Sequence, residues 1–293
     1  MLPIHETPTG SIPRKPTDAE IDVYGLSDVG RVRKENQDHF LVASLEKHLA
    51  MRMGNIPDPT LRTPDMNRLA FLMMVADGVG GGQGGAEASR FTLDAITAYV
   101  TRGMHAYYTA DPGDDEAFAI ALQAAALRAH TKLVERASTE PALAGMATTL
   151  TLFLGVWPRA YLLHVGDSRC YQFRDGVLQQ LSRDQTMAED LLAAGVITRD
   201  DRAHQRWSNV LSSAIGGPNT VPVVTGVDNE WGVVHLLCSD GLTKHVSDER
   251  ITERLAHMTS ARQACEALLQ DALDAGGTDN ITVIIARTMK GGV

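Results

Sequence analysis

The chain has 293 residues, 44% of them hydrophobic, so it can build a large core in one or two domains. Its formal net charge of −9 and its lack of any basic run exclude a nucleic-acid-binding surface, because phosphate contacts need clustered Lys and Arg. Its three scattered cysteines exclude a disulfide framework and a thiolate metal site, and its apolar runs are too short to span a membrane.

The first residues differ in composition from the rest of the chain. Residues 1–20 are polar and carry four prolines, which predicts a disordered or loosely attached tail. The start has neither the basic nor the apolar region of a signal peptide, so we expect a cytoplasmic protein. The globular pattern starts at Ile21, and we expect one domain over 21–289 and a short tail over 290–293.

Short apolar runs predict strands, and runs with a helical period predict helices. The strands are expected at 21–27, 39–45, 69–76, 147–156, 159–166, 169–174, 177–181, 221–227, 233–239 and 280–287. The helices are expected at 85–103, 115–137, 186–194, 247–257 and 260–274. Asp175-Gly176 predicts a hairpin turn, and Ser247 and Ser260 are typical N-caps. Because strand-rich and helix-rich stretches alternate in blocks, we expect an α+β fold of antiparallel sheets covered by helices.

Two segments interrupt this pattern. Residues 46–67 follow a predicted strand and carry three prolines, which is typical of an inserted loop. Residues 182–220 are polar and mostly lack a strand pattern, so we expect a mobile lobe there.

Five aspartates lie where apolar runs begin or end. Asp77, Asp167 and Asp240 close such runs, and Asp38 and Asp279 open them. In antiparallel sheets these opposite ends meet at one edge, so we expect the five carboxylates to gather there. Each one alone is ordinary turn chemistry, but five together would repel unless cations neutralised them. Oxygen ligands select Mg²⁺ or Mn²⁺ over zinc, so the pattern predicts a multi-metal hydrolase.

A glycine-rich stretch after Asp77 permits a second interpretation. Gly80, Gly82 and Gly85 satisfy G-x-G-x-x-G between a strand and a helix, which is the dinucleotide fingerprint. Against it, Asp77 would point a carboxylate at the pyrophosphate, and no second strand ending in an acid follows within one βαβ length. The stretch also lacks GK[ST] and so is not a P-loop.

Eight motifs, in order along the chain, resemble those of the metal-dependent protein phosphatases of the protein phosphatase 2C type, particularly the bacterial members. They are SDVGRVRKENQD (27–38), VADGVGG (75–81), GMATTLT (145–151), HVGDSRCY (164–171), LSRDQT (181–186), NVLSSAIGG (209–217), CSDGLT (238–243) and GGTDNITV (276–283). The resemblance runs from Ile21 to Arg287 and makes 21–289 a phosphatase domain. It implies a four-layer αββα sandwich of two mainly antiparallel sheets flanked by helices, with a metal cleft at one edge.

The resemblance also implies two Mn²⁺ or Mg²⁺ ions, with a weaker third. The ligands of the two ions would be Asp77, which bridges them, the carbonyl of Gly78, Asp240 and Asp279, with Asp38 binding directly or through water. Asp167, together with Asp240, matches the acids that hold the third ion in bacterial members. Arg33 matches the residue that grips the substrate phosphate, and residues 182–208 match the flap lobe beside the substrate.

The implied activity is hydrolysis of phosphoserine and phosphothreonine in proteins, which reverses serine/threonine kinase signalling by means of water activated between the two ions. The implied partners are phosphorylated proteins and a cognate kinase, and we expect a monomer that binds neither nucleic acid nor membrane. The alternative is a pseudophosphatase that binds phosphoproteins with little turnover. Its usual mark is a lost metal acid, and none is lost here.

Two positions depart from the family pattern. Val79 stands where eukaryotic relatives have a histidine, so the proton for the leaving alkoxide must come from elsewhere. Gln37 replaces an acid found in many relatives. His164 and His245 lie near the motifs, and we expect structural roles for both, since catalysis needs hydrogen-bond reach to the substrate.

Overall fold

The computed structural model describes residues 14–45, 49–54, 70–80, 83–109 and 115–290. Its strands are β1 (Ile21–Asp28), β2 (Asp38–Leu45), β3 (Leu49–Gly54), β4 (Ala70–Val79), β5 (Ala147–Thr148), β6 (Leu150–Val156), β7 (Arg159–Val165), β8 (Arg169–Arg174), β9 (Val177–Gln180), β10 (Val223–Asp228), β11 (Val234–Cys238) and β12 (Ile281–Thr288). Its helices are α1 (Gln83–Thr109), α2 (Asp115–Thr139), α3 (Met187–Ala193), α4 (Arg202–Trp207), α5 (Asp240–Thr243), α6 (Asp248–Ala256) and α7 (Ala261–Asp274).

The strands form two sheets, and each pairing between the described strands is antiparallel. One sheet has the order β1-β12-β11-β8-β9. The other has the order β10-β7-β6-β4-β2-β3, with β5 paired to β4. Because β4 has antiparallel neighbours, the glycine-rich stretch after it does not open the parallel βαβ unit that the dinucleotide interpretation requires.

Side chains that alternate along β4 show how the layers stack. Leu72 and Met74 pack with α1 and α2, whereas Met73 and Val75 pack between the two sheets against residues such as Ile284 of β12. This period of two is what a strand buried on both faces requires. The outer face of the other sheet packs on α6 and α7. The predicted four-layer αββα sandwich is therefore confirmed.

Local signals placed most element boundaries within a few residues. Asp175 and Gly176 have φ angles of 51° and 80°, the left-handed conformation that a two-residue hairpin turn needs between β8 and β9. Ser247 and Ser260 cap α6 and α7 by accepting hydrogen bonds from backbone N–H groups three residues on, as predicted. The three cysteines are buried and free.

Three elements were not predicted. Strand β3 falls inside the segment 46–67, for which the sequence predicts an inserted loop; it forms because the edge of β2 offers it a partner. Helices α4 and α5 have only six and four residues, too few for a helical period to appear. The rest of the segment 46–67, residues 46–48 and 55–67, lies outside the described residues.

The expected N-terminal tail is also described in part. Arg14 forms an ion pair with Glu20 at 2.6 Å and lies over the ring of Trp231, so residues 14–20 contact the domain. Residues 1–13 and 291–293 lie outside the described residues. Among the helices that are described, none has the length and apolar character needed to cross a membrane.

Candidate active site

Asp38 and Asp77 are direct cross-strand partners. Asp38 is the first residue of β2, and Asp77 lies opposite it near the end of β4. Directly opposed residues in an antiparallel pair have Cβ atoms about 4.5–5.5 Å apart, so two like charges face each other here. The backbone of Asp77 is fixed by Thr149, whose hydroxyl accepts from the Asp77 N–H at 3.0 Å. A repulsive pair is thus built into the register of the sheet.

Asp240 and Asp279 reach the same end from the second sheet. Cys238 pairs with Val283 where β11 ends and β12 begins, so Asp240 and Asp279 follow and precede that point. The two segments approach so closely that a Cβ on Gly241 would lie 1.9 Å from the Asn280 carbonyl oxygen. The glycine after Asp240 is therefore required by the backbone and not only by a turn.

Asp167 lies in the turn between β7 and β8. Gly166 before it has a φ of 106°, and a Cβ there would lie 2.6 Å from the Thr149 side chain. This turn places Asp167 close enough to Asp240 and Asp77 for their charges to interact. The charge of Asp240 raises the pKa of Asp167, and the charge of Asp167 raises the pKa of Asp77. The structure thus places all five predicted acids at one end of the two sheets.

The crowding of these acids changes their proton affinity. Burial, followed by the charges of Asp38 and Asp240, raises the pKa of Asp77 well above its usual value. Burial and then Asp240 raise the pKa of Asp167 to about 8. Burial also raises the pKa of Asp38 to about 6, against two hydrogen bonds that lower it. These carboxylates therefore lack enough positive charge around them.

Hydroxyl and amide groups that the sequence patterns did not identify hold Asp38 and its loop. Asp38 Oδ2 accepts hydrogen bonds from Ser239 Oγ and Thr282 Oγ1, each at 2.7 Å. Asn280 donates through Nδ2 to the carbonyls of Val29 and Glu35. Ser239, Asn280 and Thr282 lie beside Asp240 and Asp279 in the CSDGLT and GGTDNITV motifs. Polar residues that interrupt apolar strands in this way could have indicated them from the sequence.

Two cations lie among the acids. The Arg33 guanidinium forks onto Asp279, with Nε 2.8 Å from Oδ1 and Nη2 3.0 Å from Oδ2. Lys244 Nζ lies 2.5 Å from Asp240 Oδ2 and 2.9 Å from Asp279 Oδ2. Burial acts to raise the pKa of Asp279, but Lys244 and then Arg33 outweigh it, so the net pKa falls below the usual value. Lys244 was not among the predicted site residues, although its spacing of four from Asp240 is typical of a shared helix face.

Several observations bear on whether the acid cluster at this end of the sheets fits divalent cations. Within the described residues, no three His, Cys, Asp or Glu side chains are arranged to hold an ion as they stand. Lys244 and Arg33 instead hold Asp240 and Asp279 in ion pairs. However, Asp240 Oδ1 is buried without a hydrogen-bond partner in the described part of the chain, and all the donors are hard oxygens. The donor set fits Mg²⁺ or Mn²⁺.

Both histidines near the motifs have hydrogen-bond partners within the fold, and their structural role stays a prediction. His164 is buried, its Nδ1 lies 3.0 Å from Thr151 Oγ1, and burial lowers its pKa to about 4. His245 Nε2 accepts from the backbone N–H of Thr278 at 2.9 Å. Val79 is 39% exposed at the end of β4 and has no group that can carry a proton.

The predicted flap lobe starts beside Asp167. Gln185 donates its backbone N–H to the Gly166 carbonyl at 2.7 Å and accepts the Gly166 N–H on its side chain at 2.9 Å. Arg169 anchors the same segment by forking onto Asp184 at 2.7–3.0 Å. The lobe carries α3 and α4, and its role toward a substrate stays a prediction.

A four-layer αββα sandwich with a carboxylate cluster at the shared end of its sheets defines a class of phosphatases. The family model described as protein phosphatase 2C matches residues 60–277. The serine/threonine protein phosphatase PstP of Mycobacterium tuberculosis is 35% identical over 217 residues, which cover 74% of this chain and 40% of PstP. The serine/threonine phosphatase Stp of Listeria monocytogenes is 31% identical over 269 residues, which cover 90% of this chain and 96% of Stp.

A solved structure agrees with these relatives. The catalytic domain of the serine/threonine protein phosphatase PstP, in complex with two manganese ions, superposes with a TM-score of 0.70 at 30% identity, covering 92% of this chain and 99% of that domain. The chain belongs to the protein phosphatase 2C family. It spans about 40% of the length of the curated PstP that it matches.

Proposed function

We propose that this chain hydrolyses phosphoserine and phosphothreonine in proteins and needs two Mn²⁺ or Mg²⁺ ions to do so. The observation that carries the proposal is the set of five acids at one end of the sheets, where Asp240 Oδ1 is buried without a partner in the described residues. The relatives with this fold are named serine/threonine phosphatases, and one was solved with two manganese ions.

The ligand assignment is part of the proposal. Asp77, the Gly78 carbonyl, Asp240 and Asp279 would hold the two ions, with Asp38 binding directly or through water, and Asp167 with Asp240 would hold a weaker third. A Cβ on Gly78 would lie 2.2 Å from the Gly85 carbonyl oxygen, so the backbone next to Asp77 requires glycine. When bound, such ions lower the pKa of water and neutralise phosphoryl charge.

The chain's own groups orient the reaction. Ser239 and Thr282 fix Asp38 by donating to one of its oxygens, which leaves the rotation of that carboxylate little freedom. Arg33 is 54% exposed at the mouth of the site, so its fork can leave Asp279 for a substrate phosphate with the same two-donor geometry. His164 contacts Thr151, His245 accepts from the Thr278 N–H, and Val79 carries no proton, so we assign none of the three as the proton donor to the leaving group.

We further propose the setting in which the enzyme acts. Its substrates would be phosphorylated proteins, and a cognate serine/threonine kinase would produce them. Three buried free cysteines are typical of a reducing compartment, which supports a cytoplasmic location and a role in signal transduction. We expect a monomer that binds neither nucleic acid nor membrane. The relatives and the complete set of acids give no support to a pseudophosphatase.

Metal removal tests the proposal. The purified chain should release phosphate from p-nitrophenyl phosphate and from a phosphothreonine peptide only with Mn²⁺ or Mg²⁺, because the ligands are all oxygen. EDTA should abolish the release, and excess Mn²⁺ should restore it. Undiminished activity in EDTA, or activity with Zn²⁺ alone, would contradict the two-metal reading.

A further inference from the structure

Lys244 occupies a position in the acid cluster that the proposed reaction does not use. It follows α5 directly and lies four residues after Asp240, so the two side chains share one face of the helical turn. The Lys244 backbone N–H bonds the Asp240 carbonyl at 2.8 Å, which fixes this spacing. Its side chain is 32% exposed, so the ammonium group is recessed between the acids and not a surface charge.

The contacts of Lys244 differ from those of Arg33. Among the described residues Arg33 forms its ion pair with one acid, Asp279, and its side chain is 54% exposed. Lys244 joins two acids from different segments, since Nζ reaches Oδ2 of Asp240 at 2.5 Å and Oδ2 of Asp279 at 2.9 Å. Both contacts join an ammonium to a carboxylate, so Lys244 bridges two acidic side chains by charge-assisted hydrogen bonds.

Lys244 engages one oxygen of Asp240 and one of Asp279, two carboxylates that the proposed metal site also uses. An ammonium N–H and a divalent ion cannot share one carboxylate lone pair, and two cations a few ångströms apart repel. Binding of an ion at Asp240 and Asp279 is therefore opposed by Nζ unless the lysine side chain moves away. When a binding-competent arrangement must first be opened, the apparent affinity falls by the fraction of molecules in which it is open.

A lysine side chain is well suited to withdrawing from Asp240 and Asp279 when an ion binds. The ammonium is a compact charge on a flexible four-carbon stem, whereas a guanidinium is held by a planar fork. While it stays, Lys244 offsets repulsion between Asp240 and Asp279 and so stabilises this end of the sheets. Charge-assisted contacts of this kind are among the stronger hydrogen bonds in proteins.

We propose that Lys244 is a tethered counter-cation that competes with the divalent ions for Asp240 and Asp279 and thereby sets the free metal concentration at which the site fills. The inference rests on the metal site of the proposed function. It assigns to Lys244 a role in metal affinity and not in bond breaking.

The test compares Mn²⁺ affinity in matched variants at one pH. Calorimetric titration of Lys244→Met, which keeps the stem but removes the charge, should show tighter Mn²⁺ binding by roughly tenfold or more, as expected for losing charge-assisted contacts. Lys244→Arg keeps the charge and can hold the acids by a fork, so it should bind Mn²⁺ no more tightly than the unchanged chain. Lys34→Met removes an exposed charge next to Arg33 that forms no ion pair with these acids in the described part of the chain, so it controls for the loss of one positive charge.

Thermal melting separates this role from a merely structural one. In EDTA, Lys244→Met should melt below the unchanged chain, because the acids lose their counter-charge, and it should gain more from Mn²⁺. If Lys244→Met does not fold without metal, it can be prepared with Mn²⁺ bound, and its Mn²⁺ affinity can be measured by titrating in a chelator.

The outcomes are distinct. If the unchanged chain binds no Mn²⁺, the proposed metal site itself fails. If the unchanged chain binds Mn²⁺ but Lys244→Met binds it equally or more weakly, competition by Lys244 is overturned while the metal site stands. Equal tightening in Lys34→Met would also overturn it, since the effect would then belong to net charge.

Discussion

Asp271 on α7 and the acids at the sheet edge face opposite electrostatic surroundings in one molecule. Arg250 and Arg254 of α6 donate to both oxygens of Asp271 over 2.6–3.0 Å. The hydrogen bond from Arg254 is the largest cause that lowers the pKa of Asp271, to about 2. There one acid has two cations. At the sheet edge five acids share Arg33 and Lys244, and the pKa of Asp77 rises instead.

The difference separates a structural ion pair from a functional cluster. The carboxylate of Asp271 is fully compensated by Arg250 and Arg254, and these ion pairs join α6 to α7. The sheet-edge acids are left with less positive charge around them than Asp271 has. Perturbed carboxylates that a protein keeps together in this way are typical of functional sites. The comparison can be tested by changing one acid in each region.

The largest contrast is expected between Asp240→Asn and Asp271→Asn. Asp240→Asn should lower kcat for p-nitrophenyl phosphate by about a hundredfold or more, because even groups that only support a metal ligand typically contribute ten- to a hundredfold. Asp271→Asn should leave kcat and Mn²⁺ affinity unchanged and lower the melting temperature by about 2–4 °C. Steady-state kinetics and calorimetry on both variants measure this. Similar losses of activity in both would remove the distinction between the two regions.

A smaller effect is expected at Arg33. If Arg33 exchanges Asp279 for the substrate phosphate, Arg33→Ala should lower kcat/KM for a phosphothreonine peptide by roughly ten- to a hundredfold, the value of one charge-assisted pair. Arg33→Lys should recover only part of this, since a point charge lacks the fork. Lys34→Ala is the matched control. Unchanged kcat/KM together with a lower melting temperature would make Arg33 a structural partner of Asp279, like the arginines of Asp271.

The smallest effect is the pH dependence of stability. The pKa values of Asp38 and Asp167 are about 6 and about 8 in the folded chain, against the ordinary 3.8. Between pH 3.8 and each raised value, the folded chain therefore binds more protons than the unfolded chain. In EDTA, stability should therefore rise as pH falls from 8.5 to 5, by at most about 1.4 kcal/mol per pH unit for each extra proton bound. The effect of Asp271 on stability has the opposite sign. Its contribution to the free energy of unfolding is lost only as the pH falls from 3.8 through about 2.

Mn²⁺ provides the control for this pH dependence. Because ions bind the deprotonated carboxylates, saturating Mn²⁺ should remove or reverse the slope above pH 6. Melting temperatures across pH 5–8.5, with EDTA and with Mn²⁺, measure both curves. Identical flat curves would show that the sheet-edge acids are as well compensated as Asp271.

Much of the fold could be predicted because its signals are local. Alternation along β4, the Asp175-Gly176 turn and the Ser247 and Ser260 caps each depend on a few adjacent residues. Placing the acids at the ends of apolar runs likewise required only strand geometry. The αββα arrangement itself came from the motifs shared with a family, not from periodicity.

What the sequence by itself determined is which residues form strands and helices, and that five acids end or begin those strands. Only the tertiary structure decided their neighbours, since Asp38 meets Ser239 and Thr282 across more than 200 residues and Lys244 reaches Asp279 from another segment. It also decided that β3 pairs with β2. The reason is physical: hydrogen bonds and charge contacts between distant segments depend on where packing places each side chain, and no local period encodes that position.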